Sequence, residues 1–173
     1  MTKKKNTSGG GANTNLNGLS FENKTSFSNL LNQNGNYTFN EHSEVLSGDK
    51  VVAKYFEKHK LYSKLLKPRG INYKSIISKK LLPDGAVLVD NKIFIIEKKT
   101  QNGAGSVDEK LQTCDFKKKQ YSKLFNPIGI DVQFFFLLSS WFNKDCYKDV
   151  FEYIESVECK YYFETIPLEK LGL

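Results

Sequence analysis

The sequence predicts a mixed α/β fold, a central sheet carrying helices on its faces. Three stretches carry that prediction. Residues 83–99 hold two apolar, β-branched runs, Ala86-Val87-Leu88-Val89 and Lys92-Ile93-Phe94-Ile95-Ile96, on either side of Asp90-Asn91, the pattern of a tight hairpin. Ser106-Val107-Asp108-Glu109 has the spacing of a capping box. Behind it Val107, Leu111, Cys114, Tyr121, Leu124 and Phe125 mark the inner face of a helix, stopped by Pro127 and Gly129. Asp131 to Ser139 is then almost continuously apolar, as expected of a central strand covered on both faces.

The remaining elements follow in order. Residues 1–17 hold three lysines, three consecutive glycines and several asparagines, too little apolar content to pack. They read as a flexible basic arm ahead of a single domain over 18–173. Gly18 to Gln33 reads as an amphipathic helix on Leu19, Phe21, Phe27, Leu30 and Leu31, ended by Asn34-Gly35. Tyr37-Thr38-Phe39 is a candidate short strand. Val51 to Leu66 is expected to form a second helix, with Val51, Val52, Tyr55, Phe56 and His59 on its inner face, so that His59 belongs to the core. Lys74 to Leu82 is read as a strand leading into Pro83. A polar, Gly-rich loop, 100–105, follows the hairpin. Cys146 to Glu158 reads as a helix and Lys160 to Thr165 as the last strand.

The hairpin is where chemistry concentrates. With Asp90-Asn91 at the turn, Val89 faces Lys92, and Asp84 faces Glu97. Facing side chains share one side of the sheet, with Cβ atoms about 4.5–5.5 Å apart. Lys99, two residues after Glu97, shares that side as well. Two carboxylates and a lysine therefore converge at the open end of an apolar hairpin, and such a carboxylate pair suits a hard divalent cation such as Mg²⁺.

Composition narrows the partners. A chain of 173 residues, 39% apolar and 13% aromatic, has enough material for a real core. No apolar run approaches the ~20 residues of a membrane span, and the Lys- and Asn-rich N-terminus lacks an apolar signal core. Cys114, Cys146 and Cys159 are odd in number and widely spaced, which fits a reducing cytoplasm better than a disulfide set or a zinc site. Two histidines, His42 and His59, are too few for a His-based metal cluster, and there is no Gly-x-Ser-x-Gly elbow. The net charge of +7 invites a polyanion. It is unevenly placed: Lys54 to Lys80 holds nine basic residues and one acidic one, immediately ahead of the carboxylate hairpin. Lys64, Lys67, Lys79, Lys80 and Arg69, the sole arginine, are candidate DNA contacts; a solvated helix face is the alternative.

Pro83, Asp84, Glu97 and Lys99 resemble the signature of the PD-(D/E)xK nuclease superfamily, and within it the type II restriction endonucleases. The resemblance covers roughly residues 75–140, and the segment Gly105 to Thr113 reinforces it. It implies a restriction endonuclease-like core, Asp84, Glu97 and the Lys98 backbone carbonyl as Mg²⁺ ligands, and Lys99 at the attacking water or the scissile phosphate. It also implies an acidic residue from an N-terminal helix. Glu22 is the candidate, or else an ordinary exposed glutamate, with Glu44 and Glu57 weaker. Gln101 either binds water or substrate beside Lys99 or is a polar loop residue. The activity implied is Mg²⁺-dependent cleavage of double-stranded DNA at a specific sequence, by a homodimer, since two antiparallel strands need two related sites. A Holliday junction resolvase or repair nuclease on the same fold, and a DNA-binding module without catalysis, are the rival readings.

Overall fold

The computed structural model describes residues 19–32, 35–101 and 106–173. The basic arm expected over 1–17 and most of the Gly-rich loop, 102–105, lie outside them. Two short helices come first, α1 (helical over its described residues 19–24) and α2 (Phe27–Asn32). Seven strands follow, lying across one sheet in sequence order: β1 (Thr38–Phe39), β2 (Glu44–Ser47), β3 (Lys50–Phe56), β4 (Gly85–Val89), β5 (Lys92–Lys99), β6 (Asp131–Leu138) and β7 (Lys160–Phe163). β1 to β5 are antiparallel to their neighbours, whereas β5, β6 and β7 are parallel. Parallel neighbours need a crossover, and α3 (Cys114–Phe125) and α4 (Lys148–Ser156) supply the two. The chain thus forms the expected mixed sheet flanked by helices. No described helix is long and apolar enough to cross a membrane.

Alternation of side chains gives the sheet two apolar faces. On one, Ala86, Leu88, Ile93, Ile95, Phe134 and Phe136 pack against α3, α4 and a π-helical segment, Leu61–Leu66. On the other, Val87, Phe94, Phe135 and Leu137 meet Phe21 and Phe27 of the N-terminal helices and Leu168 and Leu171 near the C-terminus. β6 therefore buries successive residues on opposite faces, as its unbroken apolar run requires. Each such side chain stabilises the fold by about 1.5–3 kcal/mol through burial.

Five expectations fail, each for a local reason. The helix expected over Val51 to Leu66 is instead β3 followed by the π-helical segment. Gly48, at φ 59°, makes the tight turn from β2, and β-branched Val51-Val52 fits a pleated strand better than a helix. Lys54 then faces Glu44 across the ladder, with an Nζ to Oε1 distance of 3.1 Å. His59 opens the helical segment after β3 and is exposed, not in the core. The strand expected over Lys74 to Leu82 is absent: Asn72 accepts the Lys74 N–H and starts a 3₁₀ turn, Tyr73–Ser75, and β4 already has β3 and β5 as partners. The helix expected over Gly18 to Gln33 is split. Thr25 Oγ1 bonds back to the Phe21 carbonyl at 2.6 Å, and Ser26 Oγ accepts the Asn29 N–H at 3.3 Å to open α2. Finally, the helix after the hairpin opens as a 3₁₀ stretch, Asp108–Thr113, preceded by Val107 without a side-chain cap, so Ser106 is not its N-cap.

Gly85 ties the fold to the hairpin's open end. A Cβ there would lie 2.9 Å from Tyr55 Oη and 3.0 Å from its Cε2. The Tyr55 ring cannot yield easily, because it stacks on Phe27 at 4.3 Å and its hydroxyl donates to Glu57 Oε1 at 2.9 Å. Gly85→Ala is expected to cost about 1–3 kcal/mol through overpacking, read as a Tm lower by roughly 2–4 °C per kcal/mol. An unchanged Tm would mean that Tyr55 is not held in place.

Candidate active site

The hairpin has the register counted from its turn: Val89 pairs with Lys92 and Gly85 with Ile96. Asp90 adopts the left-handed conformation at the turn, φ 49°. At the open end the ladder meets Pro83, which has no N–H to donate and whose carbonyl turns away to accept the Lys58 N–H at 3.0 Å. The Asp84 carboxylate takes over the vacant role, Oδ2 accepting the Lys98 N–H at 2.8 Å. Strand alternation puts Asp84 on the face of Ala86 and Leu88, and Glu97 and Lys99 on the face of Ile93 and Ile95. These are one face, the face covered by α3.

The three side chains meet at the Lys99 ammonium. Nζ lies 3.0 Å from Glu97 Oε2, 2.9 Å from the Lys98 carbonyl oxygen and 3.9 Å from Asp84 Oδ2. Glu97 is buried, at 7% exposure. Two carboxylates and a backbone carbonyl are donors that a hard divalent cation takes, and here they are already grouped about a positive charge. The donor set fits Mg²⁺ on that ground. Among the described residues, no group of three or more His, Cys, Asp or Glu side chains gathers as a metal cluster.

One member of the site was not foreseen. Lys117, on α3, places Nζ 2.8 Å from Glu97 Oε2, the same oxygen that accepts from Lys99. In sequence it sits in Lys117-Lys118-Lys119, which reads as a solvated run. The available signal was phase: Lys117 falls on the helix stripe of Cys114, Tyr121 and Leu124, all fully buried. Its neighbours turn elsewhere, Lys118 to Glu158 at 3.1 Å and Lys119 to Asp115 at 2.7 Å. One turn on, the Tyr121 hydroxyl is buried with no hydrogen-bond partner among the described residues. Burial and the nearby Glu97 charge push its ionisation far up.

Other candidates lie around this centre rather than in it. The Lys98 side chain points to the opposite face, where Nζ donates to the Thr25 carbonyl at 2.8 Å and the Glu22 carbonyl at 3.4 Å. It thereby ties the end of α1 to β5 while its own carbonyl serves the site. Burial pulls the Lys98 ammonium down, partly offset by Asp84, Glu22 and Glu57. Glu22 is exposed and reaches Asp84 only as a neighbouring negative charge. Gln101 is buried, but β5 ends at Lys99, so strand alternation does not extend to it. Glu44 is held by Lys54 and Asn40 on β2. Of the candidate DNA contacts, Lys64 and Arg69 line a groove of about 680 Å³ with His42 and Asp90. Lys67 and Lys80 line a second, of about 410 Å³, and Lys80 lies over the Tyr62 ring at 4.5 Å. Lys79, directly before Lys80 in sequence, is exposed.

No family model, curated protein or solved structure matches the chain.

Burial raises the Asp84 carboxyl above its ordinary range, with Lys99 and the Lys98 N–H opposing and Glu97 and Glu22 adding to the rise. A raised carboxylate favours folding in its protonated form. That contribution is present below about pH 4, the ordinary aspartate value, and is lost as pH climbs through the raised one. Asp84→Asn keeps an acceptor for the Lys98 N–H and removes the desolvated charge. Its Tm at pH 7 is expected to equal or exceed that of the wild type, with the advantage shrinking as pH falls through the aspartate range. A drop of several degrees at pH 7 would show that Asp84 is a stabilising charge.

Proposed function

We propose that this protein is a Mg²⁺-dependent endonuclease of the type II restriction kind, acting on double-stranded DNA as a homodimer in the cytoplasm. The observation that carries the reading is the convergence of Asp84, Glu97 and the Lys98 carbonyl on the Lys99 ammonium, at the end of a hairpin whose Pro-Asp-Gly and Glu-x-Lys signatures resemble those of PD-(D/E)xK nucleases. Asp84, Glu97 and the Lys98 carbonyl would hold the cation. When bound, such an ion polarises the phosphoryl oxygen and promotes ionisation of the attacking water.

The chain's own residues do the rest. With the Lys98 carbonyl taken by a cation, Lys99 would keep its bond to Glu97 Oε2 and have an N–H free to donate to the phosphate or to the attacking oxygen. Glu97 stays oriented by Lys117 and Asp84 by the Lys98 N–H, so neither carboxylate has to be ordered when substrate arrives. The basic block is available for the duplex. Among the described residues Lys58, Lys60, Lys64, Lys67, Arg69, Lys74 and Lys79 form no ion pair. They surround the π-helical segment that covers the Glu97 face of the sheet.

Plasmid cleavage with Mg²⁺ tests the activity. Discrete fragments are expected; cutting confined to branched DNA would indicate a junction resolvase, and binding without cutting a non-catalytic module. Asp84→Ala and Glu97→Ala should each abolish cleavage while leaving DNA binding in place, and near-normal cutting by either would sink the assignment.

Binding measured against salt tests the basic block. Replacing Lys64, Lys67, Lys79 or Lys80 by alanine removes one ammonium from the phosphates, and each replacement should flatten the slope of log K against log salt by about 0.9. Arg69→Ala should weaken specific binding more than nonspecific binding, since a guanidinium can take two guanine acceptors at once. Unchanged slopes across the set would place the DNA on another surface.

A further inference from the structure

We propose that the site holds a single divalent cation, and that Lys117 is the positioning residue that limits it to one. The inference rests on the nuclease reading above and adds the ion count and its cause. Two-metal phosphodiester sites hold their ions about 3.5–4 Å apart, so a carboxylate must offer an oxygen to each or bridge them. A carboxylate oxygen has about two acceptor directions. Glu97 Oε2 has both filled, by Lys99 Nζ at 3.0 Å and Lys117 Nζ at 2.8 Å. Asp84 Oδ2 is committed to the Lys98 N–H at 2.8 Å. What remains is the second oxygen of each carboxylate and the Lys98 carbonyl, one set of ligands on one side of the site.

The two ammoniums are not equivalent. Lys99 extends from the end of β5, and while one N–H stays on Oε2 the others can face substrate. Lys117 rises from the first turn of α3, fixed on either side by Cys114 and Tyr121, both fully buried. It points only at Glu97, and with Lys99 it keeps Oε2 filled. Charge agrees with this count. Two carboxylates and two ammoniums cancel, and one divalent ion then leaves two positive charges to meet a phosphodiester and one attacking anion. A second ion would double that excess.

Mn²⁺ titration of the full chain without DNA, followed by the electron paramagnetic resonance of free Mn²⁺, reads the number of ions bound. The wild type is expected to take one Mn²⁺ per chain and Lys117→Met two, because the freed Oε2 opens a second position. Lys117→Arg should return the count to one, since a guanidinium still occupies that oxygen. Two ions on the wild type, or one on Lys117→Met, would overturn the proposal and leave the nuclease reading standing wherever plasmid cleavage persists. A wild type that binds no Mn²⁺ and cuts no DNA would overturn both. Should Lys117→Met fail to fold, Lys117→Ala, which also lacks a donor, carries the same expectation, and the wild-type count stands by itself.

Discussion

Carboxylates placed at the end of an apolar hairpin need cations beside them, because an unpaired charge is costly to bury. Glu97 shows the constraint most clearly. Its side chain is nearly out of water, where a lone carboxylate charge would be left unsolvated. Two ammoniums on Oε2 prevent this, one supplied by the strand and one by the helix laid over it. Taking away one partner of such a buried pair typically costs about 3–5 kcal/mol, since the other charge is left stranded. The position of α3 is therefore set by polar as well as apolar contacts. Asp84 lies farther from Lys99, and burial raises its carboxyl against the opposing pull of Lys99 and the Lys98 N–H.

The lysines of this chain divide by commitment. The three consecutive ones on α3 are paired with carboxylates: Lys117 with Glu97, Lys118 with Glu158, Lys119 with Asp115. Those between Lys58 and Lys79 face solvent around a short helical segment. A run of like charges in sequence thus says little about where a field arises. The three consecutive lysines are locally neutralised, whereas the dispersed ones leave a positive surface whose field is weakened by salt.

What was legible from sequence follows from which interactions are local. The β4–β5 register could be counted because alternation and a two-residue turn fix it within one hairpin. Asp84, Glu97 and Lys99 come together for the same reason. β6 announced itself through Asp131 to Ser139, since only a strand buried on both faces reads that way. β3 did not, because Val51, Val52, Tyr55 and Phe56 suit either a helix stripe or a strand buried mainly on one side. The choice was made by the Gly48 turn and by pairing with β2 and β4. Lys117 was missed because its partner is distant in sequence and its neighbours are lysines. His59 was misplaced as a consequence of the misread helix.

The spacing of contacts along the chain also sets an order of assembly. The Asp84 bond to the Lys98 N–H closes a separation of 14 residues and forms as the hairpin zips. The Lys117 contact to Glu97 spans 20 and waits for α3 to dock on the sheet, a non-local step that is slower than hairpin closure. In a growing chain the acidic pair therefore leaves the ribosome before the helix that completes it. Until α3 arrives, the hairpin carries two mutually repelling carboxylates with only the strand's own lysine between them. Docking of the helix relieves that repulsion, so consolidation of the sheet and completion of the site occur in a single event.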